Sequence, residues 1–400
     1  MPFKALFVST MCLLDQRSGA ALSVRTHLEN LAAAGWECHA VTASLCDGNA
    51  EYPKVRIFGP EGARPEHQGK CIVLDYSGVR HHILHTRSTV GANLTQQEAN
   101  SLAMILQKAL KENFFDLVIT YGSSPLSRDL QNIARKLTRK MVFFLANDSY
   151  HDPEVFSSMD VVICPSMFLR DLYRERLGIR PVALRDTISE QFIQTDIDQS
   201  FAGRDVLRRK GFVTYVNPSP VKGGTLFLRL VNMAFHNRPD ITFLVLEGRL
   251  TRSEWIKKFR IDPGGIANVF WMPNQSDMRR VYQRTSILLF PAFWQEASGR
   301  IVAEAQLNGI PVIASDRGGI PEQLNGGGIC LPNPPGCNDD FSTMPTEEQA
   351  RPWLDAICRL LDDPDEYDKA CTLALEASKP FHPSLTRQAT VDFYTSLFAD

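Results

Sequence analysis

Short apolar runs alternate with longer amphipathic stretches along the whole chain, the pattern of strands and helices taking turns. In the first half, residues 5–9, 37–42, 117–121, 141–145 and 161–164 read as buried strands. A second series follows at 211–216, 242–247, 269–272, 287–291, 311–314 and 328–331. Between the first two strands, Leu22, Thr26, Leu28, Leu31 and Ala32 mark a helix over 20–34, closed by Gly35, which reaches positive φ at no steric cost. Residues 332–345, with several Pro, Gly and Asp, read as a surface loop before a helix at 346–361. Leu385, Ala389, Phe393 and Leu397 share one face of a last helix over 385–398. Such alternation predicts α/β architecture with parallel sheets, and 400 residues exceed what one core usually serves. The polar, aperiodic stretch between the two series separates two domains.

Composition narrows the class of protein. A hydrophobic content of 44% and a charged content of 22% are those of a soluble globular chain. The formal net charge of -2 gives no reason to expect a nucleic-acid partner. The nine cysteines are scattered and form no Cys-x-x-Cys pair, and Cys38 and Cys164 fall inside apolar runs. They read as small core residues in a reduced compartment, with neither a structural zinc nor a disulfide framework. The N-terminal apolar run is too short for a signal peptide, and no window approaches the ~18–20 apolar residues of a membrane span. A cytoplasmic protein is expected, at most peripheral at a membrane. The basic stretch carrying Leu126, Leu130, Ile133 and Leu137 beside Arg128, Arg135, Lys136, Arg139 and Lys140 reads as a solvated helix packed on a sheet, with an anionic-lipid surface as the alternative.

Candidate chemistry concentrates in residues 290–322. An apolar strand stops at Pro291, and Glu296-Ala297-Ser298-Gly299-Arg300 then leads into a helical pattern that contains Glu304. Gly309-Ile310-Pro311-Val312-Ile313-Ala314-Ser315 opens the next strand, followed by Gly318-Gly319-Ile320-Pro321-Glu322. Free N–H groups at a helix start hold phosphate, and a nearby carboxylate accepts hydrogen bonds from sugar hydroxyls. Upstream, Lys222-Gly223-Gly224 sits at another strand-to-helix turn, where an ammonium can lie beside a diphosphate.

The 290–322 block resembles the donor-site motif of the family 4 retaining glycosyltransferases, a Glu-x7-Glu pattern followed by Gly-x-Pro-Val-Ile-Ala-Ser. The resemblance implies the GT-B fold, two Rossmann-like domains facing each other across a cleft. The acceptor domain would be 1–190, the linker 191–210, the nucleotide-sugar domain 211–384, and 385–400 a helix crossing back to the first domain. It further implies a metal-independent, retaining transferase that moves a hexose-type sugar from a nucleoside-diphosphate donor, UDP ahead of GDP. The acceptor would be a lipid, polysaccharide, peptide or natural product, and no cofactor is expected beyond the donor substrate.

Carried onto this chain, Glu296 would accept from donor-sugar hydroxyls and Glu304 from the ribose, while Ser298 and Gly299 lie at the distal phosphate and Lys222 at the diphosphate. Trp271 and Met272 would flank the base, and Gly19 would bring the first loop close to the phosphates. Three departures stand out. Asn217 replaces the family arginine five residues before Lys222, and Arg300 is the candidate replacement cation. Ser18-Gly19 keeps only the second glycine of the usual Gly-Gly-Ala, so Ser18 reads equally as a helix N-cap. Asn147 occupies the place of a family histidine near the acceptor, and it cannot titrate as histidine does. His81, His85 and His151 are acceptor-side candidates for that role, with residues 75–88 expected in a loop. A non-catalytic sugar-nucleotide binding protein and another GT-B enzyme, such as a sugar-nucleotide epimerase, are the competing readings.

Overall fold

The computed structural model describes residues 2–194 and 210–399. Two compact units divide the chain: Met1–Thr187 together with Ser384–Asp400, and Ile188–Pro383. The first is built on strands β1 (Lys4–Val8), β2 (Glu37–Ala43), β3 (Cys71–Tyr76), β4 (Val79–Leu84), β5 (Phe115–Thr120), β6 (Thr138–Phe144), β7 (Val161–Cys164) and β8 (Val182–Ala183). Among the described residues they form one sheet in the order β3-β4-β2-β1-β5-β6-β7-β8, parallel throughout except for the β3–β4 pair. The second unit holds β9 (Phe212–Val216), β10 (Phe243–Leu246), β11 (Val269–Met272), β12 (Thr285–Phe290), β13 (Val312–Ser315) and β14 (Ile329–Leu331). These form a parallel sheet ordered β11-β10-β9-β12-β13-β14. In both sheets the central strands are apolar on both faces, as parallel strands covered by helices require. Cys38 and Cys164 lie in the core, as their apolar contexts suggested.

Residues 75–88 are not the loop expected from their richness in His and Arg. They complete β3 and run through β4, an antiparallel hairpin that extends the first sheet beyond β2. Burial on β4 alternates strictly from Val79 to Ile83, so His81 takes an inward position. Of the linker expected at 191–210, residues 195–209 lie outside the described residues. The residues just before them belong to the second unit. Ile188 and Phe192 are buried in its core, and the Asn308 side chain donates to the Phe192 carbonyl (2.9 Å) and accepts from the Gln194 N–H (2.9 Å).

The last helix, Pro383–Ser396, belongs to the first unit. Its buried stripe is Thr386, Thr390 and Tyr394, one residue out of phase with the expected Leu385–Ala389–Phe393 face, and Leu385 is exposed. Threonine is compatible with burial here because the Thr390 hydroxyl donates to the Thr386 carbonyl (2.8 Å). Tyr394 is anchored by its hydroxyl, 3.0 Å from His27 Nδ1. In the basic helix, Pro125–Arg135, Leu130 is buried, while Arg128 and Arg135 pair with Asp152 and Asp160, and Arg139 beyond it pairs with Asp116. Among the described residues no helix is long and apolar enough to cross a membrane.

Candidate donor site at the carboxyl edge of the second sheet

Three neighbouring strands, β9, β12 and β13, each end in a loop that leads into a helix, and these loops meet at one edge of the sheet. Glycine makes the meeting possible. Gly223 has φ 84°, and a Cβ there would lie 1.9 Å from the Pro291 carbonyl oxygen, so only glycine lets the β9 loop close on the β12 loop. The Val221 carbonyl accepts from the N–H groups of Phe293 and Trp294, both at 3.0 Å. The hydroxyl of buried Tyr215 donates to the Lys222 carbonyl at 3.0 Å. With its backbone held on both sides, Lys222 places its ammonium in an ion pair with Glu296 and 5.5 Å from the centre of the Phe290 ring. Of the three residues expected to do the chemistry, Lys222 and Glu296 are therefore in contact, although 74 positions apart in sequence, while the third, Asn147, belongs to the first unit.

The β13 loop locks the other side. Gly318 (φ 61°) lies so close to the Glu296 backbone that a Cβ would come within 2.3 Å of its carbonyl oxygen. The Gly319 N–H donates to that same oxygen at 2.8 Å. Ser315 and Asn333 donate to the Ala292 carbonyl at 2.7 and 2.8 Å. Ser298 is buried, and Gly299, in the left-handed conformation, starts the helix Arg300–Leu307 without a side-chain cap. The start of a helix carries partial positive charge and amide donors, the basis of anion binding at such positions.

Glu304 lies one turn into this helix, almost fully buried. Arg300 Nε sits 3.2 Å from its Oε1, and the Tyr282 hydroxyl donates to its Oε2 at 2.6 Å. Burial, with the Glu304 charge adding to it, pushes the Tyr282 phenol well above its ordinary value. The Arg300 Nη1 and Nη2 atoms are buried without a hydrogen-bond partner, a costly state for a guanidinium.

The remaining donor-side candidates are spread out. Asn217 adopts φ 58°, a backbone region that Asn visits more easily than most residues, and its Oδ1 accepts from the Arg249 N–H (2.9 Å). It thus ties down the loop after β10. Trp271 and Met272 lie on the edge strand β11, separated from β9 by β10. The Trp271 indole donates to Glu247 (2.9 Å) and stands edge-on to Trp255, whereas the Met272 carbonyl accepts from the Glu247 N–H (2.9 Å).

The first unit contains the other candidates. Gly19 is exposed at the start of the helix Gly19–Ala33, where Ser18 is the N-cap, its side chain accepting from Ala21 N. Asn147 follows β6. Its Oδ1 accepts from the Ser149 N–H (3.1 Å) and hydroxyl, and its carbonyl accepts from the Tyr173 hydroxyl (3.0 Å). His81 is fully buried and His85 nearly so, the latter stacked on Phe58 at 4.9 Å. Burial lowers both imidazoles, with the charge of Arg25 adding to it at His81 and that of Lys54 at His85, and His81 falls to about 4. Of the three histidines only His151 is exposed. The sequence reading missed Tyr215 and Tyr282. Each looked like an ordinary apolar position in its element, and only the fold shows what its hydroxyl holds.

Both units are α/β with parallel sheets, and the fold is that of GT-B glycosyltransferases. Sucrose-phosphate synthase from Thermosynechococcus elongatus superposes with a TM-score of 0.70 at 14% identity, covering 99% of each chain. Anabaena Alr3699/HepE, solved with UDP and glucose, superposes with a TM-score of 0.66 at 16% identity, over 98% of this chain and 100% of its own. Residues 209–363 match the family described as Glycosyl transferases group 1. The D-inositol 3-phosphate glycosyltransferase of Corynebacterium glutamicum (strain R) is 26% identical over 188 residues, 45% of this chain. The match spans only 42% of that relative's length.

Proposed function

We propose that this protein is a retaining glycosyltransferase that moves a hexose-type sugar from a nucleoside-diphosphate donor, UDP ahead of GDP, to an acceptor nucleophile. The observation that carries the reading is the Lys222–Glu296 ion pair, held beside the uncapped helix start at Gly299 and one helix turn from Glu304. Lys222 and the amides at that helix start supply positive charge where the departing diphosphate gathers negative charge. Preorganised charge of this kind is usually the largest catalytic term. Glu296 orients sugar hydroxyls, and Glu304 accepts from the ribose. The leaving phosphate takes the acceptor proton on the face it departs from, so the reading requires neither a dedicated carboxylate base nor a metal. UDP is preferred over GDP because Alr3699/HepE was solved with UDP and glucose. The donor is the only small molecule the reading needs besides the acceptor.

Thermal melting against a panel of UDP- and GDP-sugars and free nucleotides tests the donor site. A ligand at 100 times its dissociation constant adds about 2.7 kcal/mol, a shift large enough to see. No shift with any of them sinks the reading. A second reading, a sugar-nucleotide binding protein without turnover, draws on the engagement of Asn217 with the loop after β10 and of Asn147 in a local turn, where the family has arginine and histidine. It predicts donor binding without release of nucleoside diphosphate, with or without acceptor.

A further inference from the structure

Glu304 is held from two directions. Arg300 stands one turn earlier on the same helix, so it moves with Glu304 and cannot fix the carboxylate relative to the rest of the unit. Tyr282 can. It comes from a different element, the short helix Arg279–Tyr282 that precedes β12, and its ring is buried in the core with Met278, Val281 and Leu288. Its N–H donates to the Met278 carbonyl at 2.9 Å, so both ends of the residue are tied. A phenol O–H donating to an ionised carboxylate at 2.6 Å makes a charge-assisted hydrogen bond, roughly twice as strong as a neutral one. Together the two partners engage both oxygens of the carboxylate, Arg300 at Oε1 and Tyr282 at Oε2. They set the direction in which Glu304 can meet a ligand hydroxyl.

We infer that Tyr282 is a positioning residue for donor recognition, fixing Glu304 so that it selects a nucleotide with ribose hydroxyls over one that lacks them. The inference rests on the ribose role proposed above for Glu304. A site built to pair a substrate hydroxyl discriminates strongly against its absence, because the buried group is left unmatched. Without the anchor the carboxylate still carries its charge but loses its fixed direction, so selectivity suffers before binding as a whole.

The test is titration calorimetry with UDP and 2′,3′-dideoxy-UDP, and with GDP and its dideoxy analogue in parallel. The proteins are wild type, Tyr282→Phe, Glu304→Ala and the double variant. Wild type should prefer the ribonucleotide by about tenfold or more, the scale of a hydrogen bond to a charged group. Tyr282→Phe should cut that preference by at least about threefold while leaving dideoxy affinity unchanged, and the double variant should match Glu304→Ala, as residues acting through one another do. An intact preference in Tyr282→Phe, or an equal loss for both ligands, overturns the role of Tyr282 and leaves that of Glu304 standing. No preference in wild type removes the ribose role of Glu304 and this inference with it. If Tyr282→Phe does not fold, Glu304→Asp draws the carboxylate back from an unaltered Tyr282; a retained preference there also overturns the inference.

Discussion

Replacing His81 with leucine should flatten the acid side of the stability curve. The ring lies on β4 with no exposed surface, and neither nitrogen has a hydrogen-bond partner. Burial is the main cause that lowers its pKa from 6.5 to about 4; the charges of Arg25 and His82 push the same way, and Asp75 opposes them. Well above pH 6.5 the ring is neutral in both folded and unfolded chains and adds no pH dependence. As the pH falls below that value the unfolded chain takes up a proton that the folded one refuses, so stability is lost. The loss stops near pH 4, where the folded ring protonates too. Between pH 7.5 and pH 5 it amounts to about 2 kcal/mol, out of about 3 kcal/mol over the whole window. His39, His82 and His85 are lowered as well, so the difference between wild type and His81→Leu isolates the one residue. Urea unfolding across this pH range, read by hydrogen exchange at β2 and β4 amides, gives that difference. The same pH slope in both proteins would refute the argument.

Three further substitutions probe the second unit and one the first. Gly223→Ala must relieve both a left-handed φ, worth about 1–2 kcal/mol, and overlap with the Pro291 carbonyl. It should lower the melting temperature and abolish nucleotide-induced stabilisation, because the loop that carries Lys222 has to move. Lys222→Ala should weaken nucleoside diphosphates by about 10–100-fold, the scale of a charge-assisted contact, and leave the bare nucleoside unaffected in calorimetry. Glu304→Ala leaves Arg300 buried without its counter-charge and should cost about 3–5 kcal/mol in urea unfolding, whereas Glu304→Gln should cost less because it still accepts from Tyr282. Tyr394→Phe removes a buried hydroxyl from His27 and should cost about 1–2 kcal/mol, read as earlier hydrogen exchange in the helix Gly19–Ala33.

Where local pattern and tertiary demand agree, the sequence was readable. The strands of the second sheet stood out as continuous apolar runs because parallel strands bury both faces. The glycines at 223, 299, 318 and 319 were visible; the necessity of 223, 318 and 319 follows from how closely the loops approach one another, and that of 299 from its positive φ. The β3–β4 hairpin was hidden because its charged and His-rich alternation resembles a polar loop, and only pairing with β2 gives it a buried face. Leu385 set the wrong phase for the last helix, since threonines that satisfy their own hydroxyls can take core positions. The substitution at Asn217 was plain, but its partner on the loop after β10 was not, being 32 residues away. Tyr282 was missed for the same reason: its hydroxyl has meaning only once a residue 22 positions later is brought to it.

The helix Pro383–Ser396 has a consequence for synthesis. Tyr394 and Thr390 complete a core whose other members, such as Val24, Leu28 and Phe144, lie in the first 187 residues. That core stays unfinished while about 200 residues of the second unit are translated, roughly 10–40 s at about 5–20 residues per second. The second unit is complete in the nascent chain before the first can close. Until residues 384–400 join it, the first unit therefore presents an open apolar face, the form a chaperone would recognise.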